Sequence, residues 1–573
     1  MEFSFLRDEI VGIDAAIATP FGERLMVYGD YTASGRCLRF IEQYLMRLQR
    51  HYANSHTEDD ITGRNMTRLL RQAEGAIKDA VNAGPRGRIV SLGFGSTAAI
   101  DRFQHIIGTA FPPATRALLA ALAGEFARKA GLGADFGRFL ETRQPVVFIG
   151  PYEHHSNELT WREGLCSVVV VRLSPDGGID LGHLEELLRK PEYGNRLRIG
   201  SFSAASNVTG LISPVREIAG LLHRFGALAC FDYAASAPYA AIDMNPPPGA
   251  DGEDASLDAV FISPHKFIGG PGSSGILVFN ERVYRADLAP SVSGGGTVAY
   301  VGRRGHDFFA DVEEREKAGT PGVLQTIKAA LSFLVKEAVT VERIERRERE
   351  LLTRAFERWT KNPRLEILGP LDPGRRIGIV SFNIREESGV YLHPKYVTAL
   401  LNDLFGIQSR AGCSCAGPYG HELLGIDEAA SEKYRAAIRS GYEGVKPGWC
   451  RVGFHFAMDD AEADYLIEAV DFVGRKGGRF LSEYRFDLKT GSWTHVRDPM
   501  AYEDLSLAEA LRTEGEPLSR PLPASVRRRL YRDYLAEAEA GAEERRRTDT
   551  GEGKELPPEI AALRFFALPP EAD

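Results

Sequence analysis

Between residues 88 and 280 the chain alternates short apolar runs with longer stretches of helical period. Seven runs read as strands: 88–92, 145–150, 167–172, 198–202, 227–232, 259–262 and 274–279. Several are apolar throughout instead of alternating, the pattern of strands covered by helices on both faces. This order predicts an α/β fold with a mostly parallel sheet and its ligands at the strand ends. An Ala/Leu-rich helical insert falls at 113–144. From 323 the pattern turns helical, with Arg and Glu crowding 342–354. A smaller α+β pattern follows, with strands at 378–383 and 450–456 and helices at 396–404 and 461–475. Beyond 476 the signal reduces to a hairpin over 484–488 and 493–496, a charged amphipathic helix over 525–547 and a turn-rich 548–554. The expected organisation is an N-terminal segment 1–60, a large domain 61–330, a small domain 331–476 and an extension 477–573 without recognisable chemistry.

Composition narrows the function classes. A chain of 573 residues, 43% hydrophobic and 26% charged, is ordinary for a soluble protein of two or three domains. Its net charge of -9 argues against nucleic-acid and anionic-membrane partners, which need a basic face. The longest apolar runs, such as 168–171 and 117–122, are too short to cross a bilayer, and the acidic N-terminus lacks an apolar signal region. Six spread cysteines do not make a disulfide framework, so a reducing cytoplasm is expected.

The candidate chemistry sits at strand ends. Lys266 follows an apolar strand and precedes a Gly-rich loop, in Ser263-Pro-His-Lys266-Phe-Ile-Gly-Gly. Burial disfavours the charged amine there and lets it attack a carbonyl carbon; an exposed loop lysine is the plain alternative. Ser263 and His265 can meet a phosphate. Gly93-Phe-Gly95-Ser96-Thr97 follows a strand and opens a helix, where N–H groups favour a phosphate, although a tight turn reads equally well. Asp232 ends the strand 227–232, and a buried carboxylate needs a cationic partner such as a protonated pyridine nitrogen, unless it is a helix cap. His154, in Glu153-His154-His155, can stack on an aromatic ring or shuttle protons; a third ligand at metal spacing is missing, so no metal site is assigned. Asn207 can donate to a phenolic oxygen or a substrate carboxylate, or be a turn asparagine.

The order phosphate loop, His, Asn, Asp, Lys resembles the class V, fold-type I family of pyridoxal phosphate enzymes, in particular its cysteine desulfurase and selenocysteine lyase branch. The likeness runs over most of 25–475 and includes Tyr28-Gly-Asp-Tyr-Thr-Ala-Ser34, Glu153-His154-His155, Ser206-Asn207, Asp232, Ser263-Pro-His-Lys266, Gly294-Gly-Gly296 and Ala318-Gly-Thr-Pro321. It implies a large domain with a mostly parallel seven-stranded sheet, a smaller α+β domain, and pyridoxal 5'-phosphate as cofactor. The N-terminal segment would join the small domain and the active site. Lys266 would bond the cofactor, Asp232 would pair with its pyridine nitrogen and His154 would stack on its ring. Gly95, Ser96, Thr97, Ser263, His265 and Asn207 would complete the cofactor site. Thr320 would come from the neighbouring subunit, implying a homodimer with shared sites. Arg451, in Trp449-Cys-Arg451-Val, would hold the substrate carboxylate through a bidentate guanidinium pair.

The loop Ser409-Arg-Ala-Gly-Cys-Ser-Cys415-Ala-Gly-Pro418 resembles the desulfurase catalytic loop and makes Cys415 the nucleophile, with Arg410 and its neighbours favouring the thiolate. The resemblance then implies conversion of L-cysteine to L-alanine with a persulfide on Cys415, and a possible sulfur-acceptor protein. Two alternatives stay open: another class V reaction, such as transamination, selenocysteine lysis or β-elimination with Cys415 dispensable, and a non-catalytic scaffold. The sequence departs from the pattern at Ala235, where the family carries Gln, at Cys413 and Ser414, where His is common, and in its long extension.

Overall fold

The computed structural model describes residues 1–55, 57–93, 95–131, 136–249, 252–497, 520–545 and 556–570. The chain forms two compact units, one of Ser34–Ser206 and Leu211–Val341, the other of Met1–Ala33, Asn207–Gly210 and Glu342–Asp573.

The first unit is built on seven strands: β1 (Gly87–Leu92), β2 (Val146–Ile149), β3 (Ser167–Val170), β4 (Arg198–Ser203), β5 (Leu228–Asp232), β6 (Ala259–Ile262) and β7 (Gly275–Asn280). Their spatial order is β1-β7-β6-β5-β4-β2-β3. From β3 to β6 every pairing is parallel, and β7 runs antiparallel to both β6 and β1. β2, β6 and β7 are buried at every position, as their uninterrupted apolar composition requires of strands covered on both faces. The parallel strands end on one edge, so the residues just past β2, β4, β5 and β6 share it. Helix α1 (Gly95–Ile107) follows β1 and packs on β6 and β7. The insert forms α2 (Pro113–Lys129) and α3 (Phe136–Glu141), and α2 buries none of its side chains. A long helix, α4 (Val323–Val339), closes the unit.

The second unit holds a four-stranded antiparallel sheet of β8 (Leu365–Ile367), β9 (Ile379–Ile384), β10 (Arg410–Gly412) and β11 (Trp449–Gly453), in the order β8-β9-β11-β10. Helices α5 (Val341–Trp359), α6 (Pro394–Phe405), α7 (Gly417–Leu424) and α8 (Asp460–Lys476) belong to it. α6 begins on Pro394 and stops at Gly406, which takes the left-handed conformation (φ 70°) that a helix end favours in glycine. The expected hairpin pairs Tyr484–Phe486 with Trp493–His495.

The extension is part of this unit's core. Helix α9 (Ala524–Glu544) buries Tyr531, Tyr534, Ala538 and Ala542 in the same cluster as Tyr465, Leu466 and Phe472 of α8. The Tyr531 and Tyr465 rings stack at 4.1 Å, 9° from parallel. Phe566, Ala567 and Leu568 join the same cluster. The sequence expectation for 548–554 lies outside the described residues. No helix among the described residues is long and apolar enough to cross a membrane.

Candidate active site

In the first unit the candidate residues lie at or just past the ends of β1, β2, β5 and β6. Gly95 opens α1 with φ +55°, and a Cβ there would stand 2.8 Å from Ser263 Oγ and 2.9 Å from His265 Cε1. Gly275 meets the same turn: its Cβ would lie 2.3 Å from the Gly95 carbonyl oxygen. Glycine at both positions therefore lets the turn after β1 close against the turn after β6. The Ser96 N–H donates to Ser263 Oγ at 2.9 Å. Thr97 is exposed in the first turn of α1, and its Oγ1 lies 2.7 Å from Ser156 Oγ. A helix N-terminus with two hydroxyls beside it has the chemistry that suits an anion.

Asp232, the last residue of β5, is buried, and burial raises its carboxyl above the ordinary range; the Ala234 N–H at 2.9 Å and the Lys266 amine pull it back down. Lys266, in the turn after β6, is half-buried. Burial, reinforced by Lys266, lowers His265 to about 4, so its imidazole is neutral at pH 7. His154 is held from below: its Nδ1 accepts the Ser156 N–H at 3.1 Å, which leaves the neutral ring's proton on Nε2.

Glu153, next to it, escaped functional assignment in the sequence. Its carboxylate accepts four donors: the N–H groups of Gly150 (3.1 Å) and Ser203 (2.9 Å), Asn157 Nδ2 (2.7 Å) and Ser203 Oγ (2.6 Å). Burial, helped by Asp232, pushes Glu153 up to about 7. Three N–H donors and one hydroxyl suit the ionised form, however, so at neutral pH we assign the charge to the hydrogen-bonded carboxylate. It ties β4 to the turn that presents His154. An acid directly before a His pair was the only sequence signal.

These groups fit pyridoxal phosphate: phosphate donors at α1, a buried carboxylate for a protonated ring nitrogen, and an amine beside that carboxylate. Ala235 stands where the family carries Gln, but the neighbouring Ser236 hydroxyl is buried and has no hydrogen-bond partner among the described residues.

The second unit gathers a different set. β10 and β11 pair so that Arg410 faces Arg451, Ala411 faces Cys450 and Gly412 faces Trp449. Like charges opposite one another repel. Asp30 relieves this, with Oδ2 accepting Arg410 Nε at 2.8 Å and Oδ1 accepting Arg451 Nη2 at 3.1 Å. Arg451 is buried and Arg410 half-exposed, and the three charges sum to +1, suited to a carboxylate. Arg451 Nη1 also donates to the Asn207 carbonyl at 2.9 Å. Burial lowers the Arg451 guanidinium; Asp30 and, more weakly, Cys415 raise it, which puts Cys415 within its electrostatic reach. Arg410, expected with its neighbours to favour the Cys415 thiolate, also donates to Asp30.

Past β10 the chain makes a four-residue turn, closed by the Ala416 N–H donating to the Cys413 carbonyl at 3.0 Å. Its central residues, Ser414 (φ 52°) and Cys415 (φ 55°), are both left-handed, a conformation costing of order 1–2 kcal/mol per non-glycine residue. Two contacts hold it: Asn207 Nδ2 donates to the Ser414 carbonyl at 2.7 Å and Trp449 Nε1 to Ser414 Oγ at 3.1 Å. One Asn207 amide N–H is thus spent on the cysteine loop instead of a cofactor or substrate oxygen. Cys415 is exposed and Cys413 half-buried. Asp30 and Trp449, whose roles the sequence hid, are the supports of this cluster. Thr320, in the first unit, is exposed and its Oγ1 accepts Asn54 Nδ2 at 3.3 Å.

Known proteins are similar to this chain in sequence and in fold. The Aminotransferase class-V family profile matches residues 136–466. A probable cysteine desulfurase of Halalkalibacterium halodurans is 29% identical over 339 residues, covering 58% of this chain and 75% of that protein. A probable cysteine desulfurase 2 of Mycobacterium leprae is 28% identical over 413 residues, covering 71% and 85%. Among solved structures, the apo cysteine desulfurase of Thermococcus onnurineus superposes with a TM-score of 0.60 at 22% identity, over 78% of this chain and 95% of that one. A cysteine desulfurase of Escherichia coli gives 0.57 at 19% identity, over 82% and 98%. The last two comparisons carry the fold alone. A family profile that spans more than half of the chain, including the strand ends that carry Asp232 and Lys266, makes this chain a member of the class-V aminotransferase family of pyridoxal phosphate-dependent enzymes.

Proposed function

We propose that the protein is a cysteine desulfurase, converting L-cysteine to L-alanine and taking the sulfur as a persulfide on Cys415. The observation that carries this reading is the exposed Cys415 thiol on a left-handed turn, anchored by Asn207 and Trp449 and within electrostatic reach of Arg451. A strained, doubly anchored turn that presents a thiol is costly to keep for packing alone.

Ser96, Thr97, Ser263 and His265 would hold the cofactor's phosphate, with Gly95 leaving room for it. Asp232 would pair with its ring nitrogen, and His154, oriented by Ser156, would lie on its face. Bound in that way, the cofactor supplies an electron sink for the substrate's α-carbon. Lys266 is the amine that would bond it, and once released its Nζ takes the substrate's α-proton. The cluster of Arg451, Arg410 and Asp30, with its single net positive charge, binds the substrate carboxylate. Two of the five Arg451 N–H donors are used by Asp30 and Asn207, which fixes the guanidinium plane. The Cys415 thiolate then attacks the substrate's sulfur, forming an S–S bond as the Cβ–S bond breaks; the bonding pair stays with the carbon side, and protonation of Cβ makes it the methyl group of alanine.

In this reading 61–330 is the cofactor domain, 331–476 the small domain and 477–573 its buttress. The exposed Thr320 serves a neighbouring copy's phosphate in a homodimer, a sulfur-acceptor protein is the expected partner, and the six unpaired thiols suit the cytoplasm. The test is to load the protein with cofactor, add L-cysteine and quantify alanine beside a Cys415→Ser variant. Alanine from the parent alone supports the persulfide route. Equal alanine from both favours elimination without the thiol, and none from either moves the reaction to another amino acid.

A further inference from the structure

Cys413 and Cys415 are the two cysteines of one hydrogen-bonded turn. Two residues of chain span at most about 7 Å when fully extended. Closure by the Ala416 N–H and the left-handed φ of Ser414 shorten that span, so the pair falls within the roughly 4.4–6.8 Å between Cα atoms that a disulfide needs. Ser414 is fixed through its carbonyl and its hydroxyl, so the two cysteines flank a pinned residue. The other four thiols are poor candidates for the same chemistry. Burial pushes Cys166 up to about 12 and Cys450 up to about 11, and it raises Cys230 and Cys37 as well. The family pattern commonly carries His where this chain carries Cys413.

We propose that Cys413 is a resolving cysteine: its thiolate attacks Sγ of the Cys415 persulfide, and the persulfide's terminal sulfur is released as hydrosulfide. The Cys413–Cys415 S–S bond forms as the bond to the terminal sulfur breaks, and the bonding pair leaves with that sulfur. Cys413 is oxidised from thiolate to disulfide, the terminal sulfur is reduced to sulfide, and the Cys413 proton goes to solvent. A small dithiol, oxidised in turn to its own disulfide, restores both thiols. This rests on the reading of Cys415 as sulfur carrier, and it makes the product free sulfide, with turnover limited by a dithiol reductant.

Trypsin releases both cysteines in one peptide, residues 411–433, which contains no third cysteine. The cofactor-loaded protein, freed of added thiol, is given one equivalent of L-cysteine; alanine and sulfide are counted and the peptide is weighed. Sulfide equal to alanine is expected, with the peptide about 2 Da lighter than its dithiol form. Alanine without sulfide, with the peptide about 32 Da heavier, overturns the proposal while leaving the desulfurase reading intact. A second arm bypasses the desulfurase reaction by treating the protein with inorganic polysulfide. The lighter peptide is again expected from the parent, and the heavier one from Cys413→Ser. A parent that keeps the extra sulfur in this arm overturns the proposal whatever the reaction with cysteine shows.

Discussion

Arg410 and Arg451 are register partners across antiparallel β10 and β11, and the carboxylate of Asp30 bonds to both. Two guanidinium groups opposite one another repel, and burying one of them adds a desolvation cost. One acid in the Tyr28–Ser34 segment therefore makes the pairing tolerable and leaves the cluster with a single positive charge.

Asp30→Asn should destabilise the protein by about 2–4 kcal/mol in urea unfolding, because it strands the buried Arg451 charge; the half-exposed Arg410 contributes less. Adding Arg410→Gln should recover part of the loss by removing the like charge. An Asp30→Asn protein as stable as its parent would show that the bridge carries no weight.

Asp232→Asn should act in opposite directions on the empty and the loaded protein. Burial raises the Asp232 carboxyl, so the folded state holds the proton more tightly than the unfolded chain. The stability it contributes is present below its ordinary range and lost as pH rises from there through the raised folded-state value. At neutral pH the neutral amide should therefore raise the unfolding midpoint of the cofactor-free protein. Cofactor affinity should fall by about tenfold or more, as the charged partner of the ring nitrogen is gone. Calorimetry without cofactor and spectroscopic cofactor titration check the two halves separately.

Glu348 of α5 predicts a pH slope. It is buried, accepts only the Gly378 N–H at 2.9 Å among the described residues, and burial pushes it up to about 8. The folded state keeps this proton while the unfolded chain loses it near pH 4.5. Stability should thus decline between pH 4.5 and 8 and level off above. Glu348→Gln should flatten that decline and be the more stable protein at pH 8, by a few kcal/mol. An unchanged slope in chemical unfolding at several pH values would rule this out.

The extension should be indispensable to the fold. Tyr531 stacks on Tyr465 in the core of the second unit, so Tyr531→Ala should cost about 3–5 kcal/mol. Removing residues 498–573 should leave the α8 face bare and the protein aggregating, while the helix insert α2, which buries no side chain, should tolerate polar substitution at Leu118 and Leu122 within about 0.5 kcal/mol. Thermal unfolding of these variants decides the contrast.

The sequence by itself determined the sheet and the order of its chemistry. Apolar runs of strand length without alternation fit doubly covered strands, and that pattern put Asp232, Lys266, His154 and the Gly95 turn at strand ends, while the family resemblance supplied their expected roles. The helix at 524–544 was also legible, from its period. Its place in the core was not, because a helix rich in Arg and Glu looks solvated until Tyr531 and Tyr534 find Tyr465 and Arg24. What only the tertiary structure decided are the long-range charge and hydrogen-bond partnerships. Asp30 lies far along the chain from Arg410 and Arg451, and Asn207 from Ser414, so no spacing rule links them. The left-handed pair at Ser414 and Cys415 was equally hidden. Residue type favours glycine there, and the conformation persists because Asn207 and Trp449 hold the turn from outside.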